Sequence, residues 1–236
     1  MDYFRNIVVV AALAGVIAGL GMTIAQHLAT VPLILKAEVY EEGSTPPAHD
    51  HGGTAAAEVG AHEHDEGGWQ PSDGFERTFF SFLANIVTGI GFALLLVATS
   101  ELFGGIKDWR QGVFWGLAGF AAFTLAPGLG LPPELPAMPA ADLGARQLWW
   151  IATVLCTATA LGLLFYRRSP FAVIAAVALL VAPHLIGAPQ PASYESPIPE
   201  GLHHNFVVAV VLTTLLFWLL LGGLAGLFRE RFIHAR

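Results

Sequence analysis

The chain has 236 residues, of which 55% are hydrophobic and only 12% are charged, and its formal net charge is -7. A soluble domain carries about 25% charged residues, so this composition indicates a polytopic membrane protein. The acidic balance also excludes nucleic acid as an expected partner, because a negatively charged surface repels phosphate groups.

Six apolar runs predict an all-α bundle of six transmembrane helices in a single domain, residues 1–236. Each run approaches the roughly 20 residues that cross a bilayer. The third and fifth are short, so we expect them to be distorted or extended by the neighbouring proline-rich chain. The predicted helices cover residues 7–28, 79–103, 109–126, 147–166, 171–186 and 205–228.

Basic residues alternate between the segments that join these helices. Eight of the 11 lysines and arginines fall on one side of the predicted topology and three fall on the other. Basic loops stay in the cytoplasm during insertion, so both termini are predicted to be cytoplasmic. Fourteen of the 18 acidic residues lie in the outer segments, where they would attract cations.

The outer segment between the first two predicted helices, residues 36–78, is rich in histidine and acids. Residues 44–68 have little to build a core and are predicted to be disordered without a ligand. The segment carries His49, His51, His62 and His64 beside several carboxylates. Imidazole suits cobalt, nickel, copper and zinc, so capture of a divalent transition metal is favoured over a merely solvated linker.

A second set of candidates lies at the membrane boundary, where polar groups are costly and are functional candidates by default. His184 follows Pro183, which is expected to break its helix and expose carbonyls beside the imidazole, and it is predicted to share a cation with Glu38. The alternatives are interfacial packing for the histidines and pairing of Glu38 with Lys36. The predicted metal ligands here are Glu38, His184, His203 and His204, and the predicted transport path adds Asn85, Thr88 and Gln190.

Two patterns concern assembly of the bundle. Small residues at helical spacing are predicted to be packing faces within one chain; they are Ala11, Gly15, Gly19, Gly112, Gly116, Gly222 and Gly226. The helix ends suggest three hairpin repeats, in which odd helices leave through proline and even helices enter through an acidic cap. The alternative is that membrane helices need caps in any case.

No nucleotide-binding P-loop and no hydrolase or dinucleotide motif occurs in the chain. We therefore predict a protein that is not an enzyme and has no intrinsic cofactor, in which the membrane potential drives import. Two alternatives remain: a small structural or accessory subunit of a larger respiratory or photosynthetic assembly, and a membrane metalloenzyme that uses His184 and His203.

Several strings together resemble the CbtA-type cobalt transporter subunit family, and the similarity covers nearly the whole chain. They are PLILKAEVYE at 32–41, DGFERT at 73–78, NIVTGIGF at 85–92, GLPPELP at 130–136, RQLWW at 146–150 and PHLIGAP at 183–189.

The resemblance implies a cobalt uptake protein of the bacterial inner membrane, with Co²⁺ (or Ni²⁺ or Zn²⁺) as the transported ion. It also implies a small single-span partner of the CbtB type. The chain departs from the family at His203 and His204, where the family tends to have basic residues.

Overall fold

The computed structural model describes residues 2–42, 71–72, 74–167 and 169–233, and these residues form helices and turns without any strand. The helices are α1 (Asp2–Ala29), α2 (Val31–Glu42), α3 (Phe75–Glu101), α4 (Trp109–Phe120), α5 (Ala126–Gly128), α6 (Leu143–Tyr166), α7 (Pro170–Ile186) and α8 (Glu200–Ile233). A π-helical turn over Ala121–Leu125 connects α4 to α5.

The all-α prediction is confirmed for the described residues, and each predicted apolar run is helical. Among the described residues, four helices are long and apolar enough to cross a membrane, namely α1, α3, α6 and α8. Helix α7 is a shorter apolar helix. The predicted six crossings therefore exceed the four that length and composition identify. Helix α4, the π turn and α5 form one continuous helical path from Trp109 to Gly128.

Prolines shape three helices, although not as simple breaks. Pro32 has no N–H group, and the chain pauses in a turn at Thr30 before α2 continues to Glu42. Pro127 follows the π turn, in which the Ala126 N–H bonds to the carbonyl five residues earlier. Pro183 does not interrupt α7 where it stands, since the helix continues to Ile186, the end that its apolar run predicted.

Helix α8 lies at the centre of the fold and packs against α1 and α4, while α1 packs against α3. A methyl group at Gly15 would lie 2.5 Å from Ile90 Cα, and one at Gly226 would lie 2.5 Å from the Asp108 carbonyl oxygen. Gly112 and Gly222 exclude each other's side chains in the same way. These close backbone approaches confirm that the small-residue stripes are packing faces within one chain.

Helices α6 and α7 form a hairpin at the side of this core. Helix α7 packs against α6 and has no backbone contact with α8 or α2. The third predicted hairpin would pair α7 with α8, so the three-repeat hypothesis receives no support. Side chains of α7 such as Phe171 and Ile174 are 81% and 66% exposed, which leaves an apolar face for lipid or another subunit.

The segment between α2 and α3 is shorter than the predicted outer loop, residues 36–78. Residues 36–42 belong to α2 and residues 75–78 belong to α3, so both of its ends are helical. A small apolar cluster joins α2 to α8 and to the segment before α6, with Ala37, Leu135 and Phe206 buried in it. Helix α2, the segment after α5 and the N-terminal part of α8 thus meet at one end of the bundle, and the start of α6 lies beside that segment and α8.

Candidate functional site

The end of the bundle that contains α2 is called here the outer end, because it carries the predicted outer segments. The four loop histidines, His49, His51, His62 and His64, lie outside the described residues. The loop therefore stays a prediction as a capture site. The described part of the outer end holds the remaining predicted ligands.

Glu38 lies on α2 and forms an ion pair with Arg77 at the start of α3, with 2.5 Å between its Oε1 and Arg77 Nη2. The two side chains are 29% and 38% exposed. This pair fastens α2 to α3 across the loop. A cation that bound Glu38 would have to compete with Arg77, because both positive charges would interact with the same carboxylate.

His184 lies on the exposed side of α7 and packs edge-on against the Trp149 ring, with 5.9 Å between ring centroids. Trp149 is buried, and its indole N–H donates to the Pro183 carbonyl oxygen at 3.1 Å. That carbonyl also accepts the Gly187 N–H. The Pro183 carbonyl oxygen beside His184 thus accepts two hydrogen bonds, whereas the His184 imidazole remains exposed.

His203 and His204 occupy the first turns of α8. His203 Nε2 lies 3.1 Å from the Pro133 carbonyl oxygen. A carbonyl only accepts, so Nε2 carries the proton and Nδ1 of the neutral ring keeps its lone pair for a ligand. His204 is exposed. These two histidines are therefore the described imidazoles best suited to a cation at the mouth of the bundle.

The predicted path residues lie in different surroundings. Asn85 Nδ2 donates to Thr23 Oγ1 at 3.1 Å and to Gln26 Oε1 at 2.6 Å, which forms a neutral polar cluster between α1 and α3. Thr88 is one turn further along α3 but faces outward. Gln190 is exposed and bonds to the Ala188 carbonyl and the Tyr194 hydroxyl beyond α7.

No three His, Cys, Asp or Glu side chains come together as a metal site within residues 2–42, 71–72, 74–167 and 169–233. Glu38 on α2 and His184 on α7 belong to helices without mutual backbone contact. The structure thus gives no support to a site shared by these two residues. His184 and His203 are likewise on helices that do not pack together, which leaves the metalloenzyme alternative without support.

A cavity of about 680 Å³ also opens at the outer end, between the segment after α5, α6 and α8. Its lining is mainly apolar, but Arg146 and Gln147 face it. Arg146 pairs with Glu134, with 3.0 Å between Nη2 and Oε2. An arginine on the wall disfavours cations, so this cavity is a poor metal route.

The opposite end of the bundle contains an ion pair whose partners the sequence did not identify. Arg229 on α8 is only 4% exposed and forms a two-pronged pair with Glu101, at 2.5 Å from Nε to Oε1 and 2.9 Å from Nη2 to Oε2. Arg229 Nη1 also donates to the Ile106 carbonyl at 2.5 Å, and the Tyr3 hydroxyl donates to Glu101.

This network joins α1, α3, α8 and the turn before α4. The signal that could have revealed it is an arginine within an apolar helix, because a charge there needs a partner. Asn6 adds a further link, since its Nδ2 donates to the Phe232 carbonyl at 3.0 Å. The inner end is therefore closed by polar contacts, whereas the outer end is held by more exposed pairs.

The comparisons with known proteins address function directly. A family model described as "Probable cobalt transporter subunit (CbtA)" matches residues 4–230, nearly the whole chain. No curated protein and no solved structure matches the chain significantly. The match supports a membrane transport subunit, and it lends nothing to a subunit of a respiratory or photosynthetic assembly.

Proposed function

Because the chain belongs to the CbtA family of probable cobalt transporter subunits, we propose that it carries a divalent transition metal, with cobalt favoured, across the bacterial inner membrane. The single observation that carries this proposal is the family match over residues 4–230. Four long apolar helices and the absence of strands among the described residues agree with it. Cobalt is the cargo in this proposal, and no catalytic step is assigned to the chain.

The loop between α2 and α3 captures the ion in this proposal. His49 and His51 form one arm, and His62 and His64 form another, so four imidazoles with flanking carboxylates can surround one cation. The acidic surroundings raise the local concentration of cations before they enter the bundle. Imidazole must be deprotonated to bind a metal, so capture should weaken below about pH 6.

The ion then passes to the outer end of the helices. Exposed His204 and the free Nδ1 of His203 receive it first, and Glu38 becomes available when the cation displaces Arg77. His184 acts from the side of α7 as a separate ligand rather than as a partner of Glu38. Gln190 adds a neutral oxygen at this mouth.

Further inward, the Asn85 cluster between α1 and α3 provides neutral oxygens from an amide and a hydroxyl. Thr88 faces away from α1, so it lines a path only if another subunit covers that face of α3. This geometry supports a partner, which we propose to be a small single-span protein of the CbtB type. The printed description of the family as a subunit supports a partner in general terms.

The membrane potential provides the driving force in this proposal. Moving two positive charges inward is worth about 4.6 kcal/mol per 100 mV. The chain has no P-loop that would support direct use of a nucleotide. With both termini cytoplasmic, the acidic loop faces the side from which a cation arrives.

The test is uptake of radioactive cobalt by cells that lack the chain and are supplied with wild type or with a variant. Replacing the four loop histidines with alanine should raise the cobalt concentration for half-maximal uptake and weaken binding to the purified protein. A matched control replaces Ser44, Thr45 and Thr54 with alanine in the same loop. Equal uptake with and without the chain would refute transport, whereas unchanged cobalt binding by the histidine variant would refute only the capture loop.

A further inference from the structure

A groove of about 590 Å³ lies between α3, α4 and α6 and belongs to none of the metal candidates. Its middle is lined by apolar side chains such as Phe92, Leu96 and Phe123, together with the small residues Ala118 and Ala158. A methyl group added at Gly162, which lines the same groove, would meet no atom within 4 Å. The groove is therefore open space wide enough for a flexible hydrocarbon chain.

Apart from the indoles of Trp115 and Trp218, the polar side chains of the groove lie at its inner end. Thr99, Gln111 and Tyr166 line it there, near the ends of α3, α4 and α6. Gln111 Oε1 accepts the Lys107 backbone N–H at 2.7 Å. The Gln111 side-chain N–H groups donate to no acceptor among the described residues. The Tyr166 ring stacks on Phe103 at 4.2 Å between centroids and closes the end of the groove across α3 and α6.

Exposed basic residues lie next to these polar residues in the chain. Arg110 precedes Gln111 on α4, and its guanidinium lies 5.6 Å from the Trp109 ring centroid. Arg167 directly follows Tyr166 at the end of α6, and Lys107 adjoins the turn before α4. Asp108 is the nearby acid, and it accepts the Gln111 backbone N–H as the cap of α4.

We propose that this groove binds an anionic phospholipid, with one acyl chain between α3, α4 and α6 and the headgroup phosphate beside Arg110 and Arg167. An apolar body, a few hydrogen-bond donors at one end and basic residues at that rim match the polarity of such a lipid. Assignment to the cytoplasmic leaflet rests on the proposed orientation, but the binding itself does not depend on metal transport. Clusters of basic residues beside membrane helices favour anionic lipids in this way.

The lipid and a helix of another subunit make different demands on the groove. If a helix of another subunit occupies the groove, binding should not depend on the charge of a lipid headgroup, because no lipid phosphate would lie at the rim. A zwitterionic lipid would fill the same volume but gain less from Arg110 and Arg167. Headgroup selectivity therefore separates the proposed occupant from the others.

The experiment uses the purified full chain in neutral detergent and native mass spectrometry with phosphatidylglycerol or phosphatidylcholine of equal chain length. Wild type should retain phosphatidylglycerol preferentially. Gly162→Leu should fill the groove and abolish this retention, whereas Gly91→Leu should preserve it. Gly91 is the matched control because it is exposed on α3, has no atom within 4 Å of an added methyl group and does not line the groove.

The rim is tested separately. Arg110→Gln and Arg167→Gln should each reduce the preference for phosphatidylglycerol by about fivefold, as expected for one basic residue near a lipid surface. Arg231→Gln, an exposed arginine on α8, should leave the preference unchanged.

Two results would overturn the proposal. One is equal retention of the two lipids by wild type, and the other is equal retention of phosphatidylglycerol by Gly162→Leu and Gly91→Leu. If Gly162→Leu does not remain monodisperse, Ala158→Leu provides the same test from the preceding turn of α6. Because no cobalt is present, failure here is independent of the transport proposal.

Discussion

Arg229 is the charged side chain that is buried among the described residues, and its surroundings account for the charge. Glu101 neutralises it through two hydrogen bonds, and the Ile106 carbonyl occupies a third donor. Breaking a buried pair by removing one partner typically costs about 3–5 kcal/mol, because the remaining charge is left uncompensated. The geometry of the turn before α4 is therefore part of what holds the inner end together.

Gly105 in that turn tests this role of Arg229. Both Gly104 and Gly105 have positive φ angles, of 91° and 73°, so alanine at either position costs about 1–2 kcal/mol in backbone conformation. A methyl group at Gly105 would also overlap the Arg229 guanidinium, whereas one at Gly104 would meet nothing within 4 Å. We expect Gly105→Ala to lower the free energy of unfolding by at least about 2 kcal/mol more than Gly104→Ala, because it displaces a buried charge.

The measurement is unfolding of both variants in mixed detergent micelles, repeated in an Arg229→Ala background. In that background the difference between the two glycine variants should vanish, since the clash is gone. Equal destabilisation by Gly104→Ala and Gly105→Ala in the original background would mean that the turn does not depend on Arg229.

At the scale of helices, the α4–α8 and α1–α3 contacts depend on glycines that let backbones touch. A methyl group at Gly112 would overlap the Gly222 carbonyl oxygen, so Gly112→Ala should push α4 away from α8. Overpacking of this kind typically costs about 1–3 kcal/mol. At exposed Gly91, alanine should be neutral or stabilising by up to about 1 kcal/mol, through helix propensity.

The opposite signs of these two effects make the comparison sharp. Unfolding in mixed micelles should rank Gly91→Ala at or above wild type and Gly112→Ala below it. Equal stability of the two variants would show that the α4–α8 contact adjusts easily and does not determine the fold.

The helices were predictable because an apolar run of membrane length has few other structures available to it. The glycine stripes were predictable for a related reason, since small residues at helical spacing have a packing use in lipid. The hydrogen bond from the Trp149 indole to the Pro183 carbonyl was not predictable, because it comes from another helix. The pairing of Glu101 with Arg229 was equally hidden, since the two residues lie far apart in the sequence.

The contacts of the candidate site were harder to predict from the sequence than the helices were. Residue types alone placed Glu38, His184 and His203 at one end of the bundle, but their partners depend on helix packing. Arg77 reaches Glu38 because the start of α3 comes within side-chain reach of α2, and the Pro133 carbonyl reaches His203 because the segment before α6 folds over α8. Neither contact follows from composition or spacing.

For the whole molecule, the topology depends on how many of its helices cross the membrane. Counting only α1, α3, α6 and α8 gives four crossings. The continuous helical path from Trp109 to Gly128, however, contains about 20 residues and can span about 30 Å. It runs antiparallel to α8, as Gly112 faces Gly222 and Gly116 faces Trp218, and the segment that follows it packs against α2 through Leu135. This path is long enough to add one crossing to the four, and the predicted six crossings also require α7, which has 17 residues, to cross the membrane.

Labelling of introduced cysteines distinguishes the two topologies. The native Cys156 is first replaced by serine, and single cysteines are then placed at Ala140, Arg167 and Glu195, which are all exposed. With six crossings and a cytoplasmic N-terminus, a membrane-impermeant maleimide should label positions 140 and 195 in intact spheroplasts and position 167 only after permeabilisation. With four crossings, positions 140 and 167 exchange sides, because α4 and α7 no longer cross, while position 195 stays outside. Labelling of Arg167→Cys from outside together with protection of Ala140→Cys would therefore refute six crossings, and protection of Glu195→Cys would refute the orientation that follows from the basic residues.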